Sequence, residues 1–149
     1  MQKKINWGII GLGNIAYQFS IAIEKTQNAK LIAVASKDDS NLKKFQKRFK
    51  IEKNFLFSNY EKILDCEEVD IVYIALPNSL HKNWILNSFK YKKNVLVEKP
   101  AVMNLSEINE VRDFLNLTNL FFSEAFMYRY LPQIKFVLDI IKENKIGDL

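Results

Sequence analysis

Cysteine is almost missing from this chain: Cys66 is the only one in 149 residues. A single thiol excludes an internal disulfide and a cysteine-rich zinc centre. Long hydrophobic runs are missing as well. The apolar stretches are of strand length, far short of the ~20 residues that a membrane-spanning helix needs. Behind the basic start, Met1-Gln2-Lys3-Lys4, no apolar stretch leads to a small-residue cleavage site, so no signal peptide is expected. Arginine is scarce, with Arg48, Arg112 and Arg129 the only three among 22 basic residues. The net charge of +5 is therefore mostly lysine, and lysines such as Lys43, Lys44, Lys47 and Lys50 gather on one helix face. That is the pattern of a solvated surface, without the basic stripe and interleaved aromatics of a nucleic-acid binder. We expect no nucleic acid, membrane or metal as partner. A cytoplasmic location fits, and a mild basic excess suits an anionic small ligand.

With 48% hydrophobic and 26% charged residues, the chain has the composition of a folded domain. Its apolar pattern alternates between two periods. Ile5 to Ile10 is a near-continuous apolar run ending at Gly11, as in a strand buried on both faces. Ile15, Phe19, Ala22 and Ile23 then fall on one face of a helix. Leu31 to Ala35 reads as a second strand, and Ser40 as the cap of a helix carrying Leu42, Phe45 and Phe49. Phe55 to Phe57 is a weak strand. Ile71 to Leu76 is a strong one, stopped by Pro77. A helix follows from about Ser79 to Tyr91, then a strand at Val95 to Val97. Asn104 and Glu107 have capping-box spacing ahead of a helical stripe at Leu105, Ile108, Val111 and Leu115. Leu120 to Phe122 is the last strand and Gln133 to Glu143 the last helix. Strands alternating with helices imply an α/β fold, a doubly wound parallel sheet. Ligands of such sheets sit beyond the carboxyl ends of the strands.

The turns that follow the strands carry the chemistry. Gly11-Leu12-Gly13-Asn14-Ile15-Ala16 is G-x-G-x-x-A between a strand and a helix. Gly11 allows the tight turn, Gly13 lets backbone approach a pyrophosphate, and Ala16 allows close helix–strand packing. An S-adenosylmethionine site uses a different glycine turn with an acid before it, where this chain has Ile9 and Ile10. The second strand ends Ser36-Lys37-Asp38. Ser36 and Lys37 suit the 2′-phosphate of NADP, whereas Asp38 suits the ribose hydroxyls of NAD. NADP is the expectation and NAD the alternative. In Pro77-Asn78-Ser79-Leu80-His81, Asn78 or Ser79 can cap the next helix. His81 is expected in that helix's first turn at the cleft edge, as a polar helix-start residue or a proton donor. Glu98-Lys99-Pro100 follows a strand directly. Lys99 there can hydrogen-bond a substrate hydroxyl with Glu98 holding it, or the two can form a surface ion pair.

In this order and spacing, G-x-G-x-x-A, P-N-S-L-H, E-K-P and Glu124-Ala125-Phe126-Met127-Tyr128-Arg129-Tyr130-Leu131-Pro132 resemble the Gfo/Idh/MocA oxidoreductase family. The likeness is greatest to its NADP-preferring sugar and dihydrodiol dehydrogenases. It implies a Rossmann-type dinucleotide-binding domain and hydride transfer between a nicotinamide and a sugar or polyol. It implies that Lys99 lies beside the nicotinamide and the reacting hydroxyl. Gly11, Gly13, Asn14 and Ile15 then hold the pyrophosphate. Ser36 and Lys37 meet the adenosine ribose or its 2′-phosphate. Leu76, Pro77, Asn78 and His81 line the nicotinamide side, and Arg129 contacts cofactor. Lys99 and His81 are the candidate catalytic residues. Residues 1–130 are expected to be the NAD(P)-binding domain. Residues 131–149 are expected to connect to an antiparallel substrate domain that this chain lacks. Three readings follow: an oxidoreductase half, an inactive dinucleotide-binding module, or one half of a split enzyme completed by a partner chain. A homo-oligomer is a further expectation, and Phe126, Tyr128, Tyr130, Leu131 and Phe136 are expected near an exposed apolar junction.

Overall fold

A computed structural model describes residues 4–147. Asp148 and Leu149, the end of the expected connecting segment, lie outside the described residues, as do the first three of the basic start. Six strands form one parallel sheet: β1 (Ile5–Ile10), β2 (Ala29–Ala35), β3 (Leu56–Phe57), β4 (Ile71–Ile74), β5 (Asn94–Val97) and β6 (Phe122–Glu124). Their order is β3-β2-β1-β4-β5-β6. The helices are α1 (Asn14–Glu24), α2 (Asp39–Phe49), α3 (Tyr60–Asp65), α4 (His81–Lys90), α5 (Leu105–Leu115) and α6 (Pro132–Lys142). The doubly wound parallel sheet is the one the apolar pattern implied. After β3 the chain returns to the far side of β1, which makes the β1/β4 boundary the switch point of the sheet.

Central strands are apolar throughout because both of their faces are covered. Ile9, Val34 and Tyr73 pack with Leu42 and Phe45 under α1 and α2. Ile10, Val72, Ile74, Val95 and Val97 pack with Ile63, Ile85, Phe89 and Val111 on the other face. Gly8 lets that second layer pack closely, since an added Cβ would sit 3.0 Å from Val69 and 3.1 Å from Ile63 and both side chains would have to shift.

Several expected boundaries move. Asp38, not Ser40, caps α2, and its carboxylate accepts the Ser40 N–H. Residues Asn78–Leu80 form a 3₁₀ turn, α4 starts only at His81, and neither Asn78 nor Ser79 supplies a side-chain cap. The last strand lies at Phe122–Glu124, two residues later than expected. Helix α3 was not expected; Asn59 caps it, and its six residues are too few for a visible stripe. Asn104 caps α5 as expected, while Glu107 reaches back to the Met103 N–H. Helix α6 buries none of its residues, and Phe136, Val137 and Leu138 are exposed on it, as are Tyr128, Tyr130 and Leu131 before it. Phe126 is half-buried rather than exposed. Among the described residues, no helix is long and apolar enough to cross a membrane.

Candidate functional site

The two glycines of the first turn have different reasons to be there. Gly11 has φ +90°, and a Cβ on it would lie 2.5 Å from the Ala75 carbonyl oxygen. The ends of β1 and β4 approach too closely there for any side chain. Gly13 has an ordinary φ of −82°, and a Cβ on it would meet nothing within 4 Å. The fold therefore does not need glycine at 13. What Gly13 leaves bare is the N-terminus of α1, which no side chain caps and which has no acid in its first turn. Its first N–H groups and the positive end of its dipole face the carboxyl ends of the strands. Asn14 and Ile15 are exposed in that first turn, and Ala16 is wholly buried against the sheet.

The end of β2 separates three neighbouring side chains. Ser36 is buried and its hydroxyl accepts the Asp38 N–H at 3.1 Å. Lys37 is exposed, its ammonium 5.8 Å from the Tyr60 ring centre. Asp38 spends both carboxylate oxygens on the α2 cap. Oδ1 accepts the Ser40 N–H (2.8 Å) and hydroxyl (2.6 Å), and Oδ2 accepts the Asn41 amide (3.1 Å). The Ser40 hydroxyl and then its N–H hold the Asp38 carboxyl below the usual aspartate range.

Leu76, Pro77 and Asn78 follow β4, with Leu76 half-buried and the other two exposed. His81 sits in the first turn of α4 as expected, but not at an open cleft edge. It is fully buried, its Nδ1 2.8 Å from the Pro100 carbonyl oxygen and its Nε2 2.8 Å from that of Leu76. Neither ring nitrogen is open to a ligand, so the proton-donor expectation for His81 finds no available atom. Lys99 and Pro100 are exposed, Ala101 is buried, and the Lys99–Pro100 peptide is cis. Glu98 makes no ion pair with Lys99. One carboxylate oxygen accepts the Lys99 backbone N–H at 3.3 Å, and the other accepts the Tyr73 hydroxyl. Burial raises the Tyr73 phenol, and the bond to Glu98 raises it further. Arg129 lies exposed in a 3₁₀ turn at Met127–Tyr130 after β6.

Gly11, Gly13, Asn14, Ile15, Ser36, Lys37, Leu76, Pro77, Asn78, Glu98 and Lys99 thus all lie at the carboxyl ends of the strands. Two further residues join them, Tyr73, which was not expected, and Glu124, which was expected only as the start of the motif after the last strand. Tyr73 looks like core from its place in β4, and Glu124 lies at the end of β6, where its carboxylate accepts the Ala101 N–H at 2.8 Å. The signal for Glu124 was its place directly after a strand core; its partner could not be read. A cavity of about 270 Å³ opens beside these two, walled by Ile15, Phe19, Leu96 and Phe126.

A model of the GFO_IDH_MocA oxidoreductase family, with its NAD-binding Rossmann fold, matches residues 5–126. An oxidoreductase of Formosa agariphila is 33% identical over 150 residues, which take in all of this chain and 46% of that protein. The structure of scyllo-inositol dehydrogenase from Lactobacillus casei with NAD(H) and scyllo-inositol matches with a TM-score of 0.91 and 28% identity, over 98% of this chain and 43% of that one. KijD10, a 3-ketoreductase from Actinomadura kijaniata in complex with NADP and TDP-benzene, matches with a TM-score of 0.89 and 31% identity, over 98% and 44%. The chain spans less than half the length of these relatives.

Proposed function

The chain belongs to the Gfo/Idh/MocA oxidoreductase family, whose members bind NAD(P) on a Rossmann fold, and from that premise we propose an NADP(H)-dependent role in hydride transfer at a CH–OH carbon of a sugar or polyol. One observation carries the reading. The bare N-terminus of α1 and the exposed Lys99 lie at the same end of one parallel sheet, on the two sides of its switch point. Gly11 shapes the turn, and Gly13, Asn14 and Ile15 offer backbone N–H groups to a pyrophosphate. Ser36 and Lys37 take the adenosine 2′-phosphate. The end of β2 supports this choice, because the Lys37 ammonium is exposed there while the Asp38 carboxylate already caps α2. Leu76, Pro77 and Asn78 line the nicotinamide side, and Arg129 reaches the cofactor from the segment after β6. Lys99 is the catalytic residue in this reading: its ammonium holds the reacting oxygen and moves its proton. Glu98 keeps its carboxylate on Tyr73 and on the turn. The bound nicotinamide supplies or accepts the hydride. The likeness to a scyllo-inositol dehydrogenase and a 3-ketoreductase supports a polyol or keto-sugar as the class of substrate.

A fluorescence titration with NADPH and with NADH tests the cofactor. NADPH is expected to bind at least about tenfold tighter, equivalent to ~1.4 kcal/mol. Tighter NADH binding overturns the role of Ser36 and Lys37, and binding of neither overturns the reading as a whole. With a polyol substrate, Lys99→Ala is expected to lower turnover by about 10²–10⁴-fold while leaving cofactor affinity nearly unchanged. Equal turnover removes Lys99 from the chemistry. The apolar face of α6 favours a second reading, in which the chain binds the dinucleotide but turns over only when another polypeptide or a second copy covers that face. NADPH binding without hydride transfer on any polyol, together with self-association on gel filtration, supports it.

A further inference from the structure

The turn that carries Lys99 is fastened by side chains. Ladder bonding ends where the Glu98 N–H donates to the Ile74 carbonyl at 3.0 Å. Among the described residues, no backbone–backbone hydrogen bond involves residues 99–101. Three side chains take over, one from the turn itself, one from α4 and one from β6. Glu98 accepts the Lys99 N–H, His81 Nδ1 lies 2.8 Å from the Pro100 carbonyl, and Glu124 Oε1 accepts the Ala101 N–H at 2.8 Å. His81 Nε2 lies 2.8 Å from the Leu76 carbonyl oxygen, and the ring nitrogen that carries the proton sets which of the two carbonyls accepts. One buried imidazole therefore spans the turn after β4 and the turn after β5. Glu124 ties the turn after β5 to the end of β6. Ala101 is itself buried, and its N–H loses a charged acceptor if the carboxylate is removed.

Resting on the dinucleotide reading above, we propose that Glu124 and His81 are positioning residues that join these turns into one rigid wall on the nicotinamide side. Neither touches substrate. The wall seats the ring against Leu76 and Pro77 and holds the Lys99 backbone in place, so that the ammonium points from a fixed base. Loss of the clamp moves the wall, whereas loss of the Lys99 side chain alone leaves it standing. A group that acts only on this wall affects the half of the dinucleotide that meets it. The pyrophosphate and 2′-phosphate contacts lie on the turn into α1 and at the end of β2, and none of the clamp's hydrogen bonds is made to either.

The test compares two ligands on the whole chain. NADPH carries the nicotinamide; 2′-phospho-ADP-ribose lacks it and keeps everything else. Glu124→Ala is expected to weaken NADPH by about tenfold or more, a loss of the size that a hydrogen bond to a charged group contributes. It should leave 2′-phospho-ADP-ribose within about threefold of wild type. Glu124→Gln retains an oxygen acceptor of the same reach and is expected to restore NADPH binding. Glu124→Asp shortens that reach by one methylene and serves if the alanine variant does not fold; it should show the same selective loss to a smaller degree. A variant that weakens both ligands equally has a general folding lesion, and that result overturns the proposal. So does a glutamine variant as weak as the alanine one, or an alanine variant indistinguishable from wild type. A wild-type chain that binds neither ligand overturns the dinucleotide reading itself, which keeps the two failures apart.

Discussion

Alanine at Gly11 and alanine at Gly13 give opposite outcomes within one six-residue turn. At Gly11 the backbone has φ +90°, where an L-residue pays roughly 1–2 kcal/mol. The new Cβ also meets the Ala75 carbonyl oxygen at 2.5 Å, the Ala75 carbonyl carbon at 2.9 Å and the Leu76 side chain at 2.9 Å. Two of the three are backbone atoms of the neighbouring strand end and cannot rotate away, so a shift costing about 1–3 kcal/mol follows. The unfolded chain becomes stiffer with alanine, which returns about 0.4–1 kcal/mol. The net is a loss of roughly 1–5 kcal/mol, or about 3–15 °C in Tm for a domain of this size. At Gly13 the added Cβ meets nothing and φ is −82°. Stability should change by less than about 0.5 kcal/mol, since the entropic gain and the poorer N-cap nearly cancel. NADPH binding should nevertheless fall at least about tenfold, because the methyl group occupies the approach to the α1 N–H groups. Thermal melts of both variants, with an NADPH titration of Gly13→Ala, read all of this. A Gly13→Ala protein that keeps full affinity refutes the pyrophosphate assignment. A Gly11→Ala protein that melts with the wild type refutes the steric account.

Two further predictions concern buried ionisable groups. Lys93 is buried at the start of the sheet, and its ammonium donates to the carbonyl oxygens of Cys66 (2.6 Å) and Val69 (2.8 Å). Burial pushes this amine below the usual lysine range, and nearby Cys66 and acidic residues only partly oppose the shift. Lys93→Met keeps the volume but removes the ammonium from both carbonyls, and among the described residues only that of Cys66 keeps a second donor, the Val69 N–H at 3.2 Å, so a loss of about 1–3 kcal/mol by urea unfolding is expected; an unchanged midpoint means that water replaces the ammonium. Tyr73 has its phenol raised by burial and by Glu98, so the folded state holds the proton more tightly than the unfolded one. Its contribution is complete below the ordinary tyrosine value of about 10 and is lost as the pH rises above it. Tyr73→Phe should therefore lose less stability than the wild type between about pH 9 and 11; parallel pH profiles rule out this role for Tyr73.

The alternation of strands and helices was legible because buried parallel strands leave continuous apolar runs and amphipathic helices leave stripes at helical spacing. Ile5–Ile10, Ile71–Ile74 and the stripe of α5 were all readable in that way. The glycine turn and E-K-P were legible as well, since a tight turn and a proline restrict the backbone whatever surrounds them. Shorter elements were not. The two residues of β3 showed only as a weak strand at Phe55 to Phe57, and the six of α3 have too few positions to show a period, so its place is decided by what packs on it. The choice of Asp38 over Ser40 as the cap of α2 was also a matter of geometry: both residue types cap, and only the backbone path after β2 decides which carboxylate or hydroxyl faces the open N–H groups.

The sequence by itself determined the order of the strands and of every helix but α3, the parallel doubly wound sheet and the family, because local periodicity and motif spacing survive without coordinates. Tertiary structure alone decided what the functional side chains face. His81 could be read as a residue at a helix start, but its burial between two carbonyl oxygens from turns 5 and 19 residues away required the sheet to be assembled. Glu124 and Ala101 are 23 residues apart and meet only because β5 and β6 are neighbours. Hydrogen bonds of that kind depend on distances between elements, and a linear pattern carries no information about them.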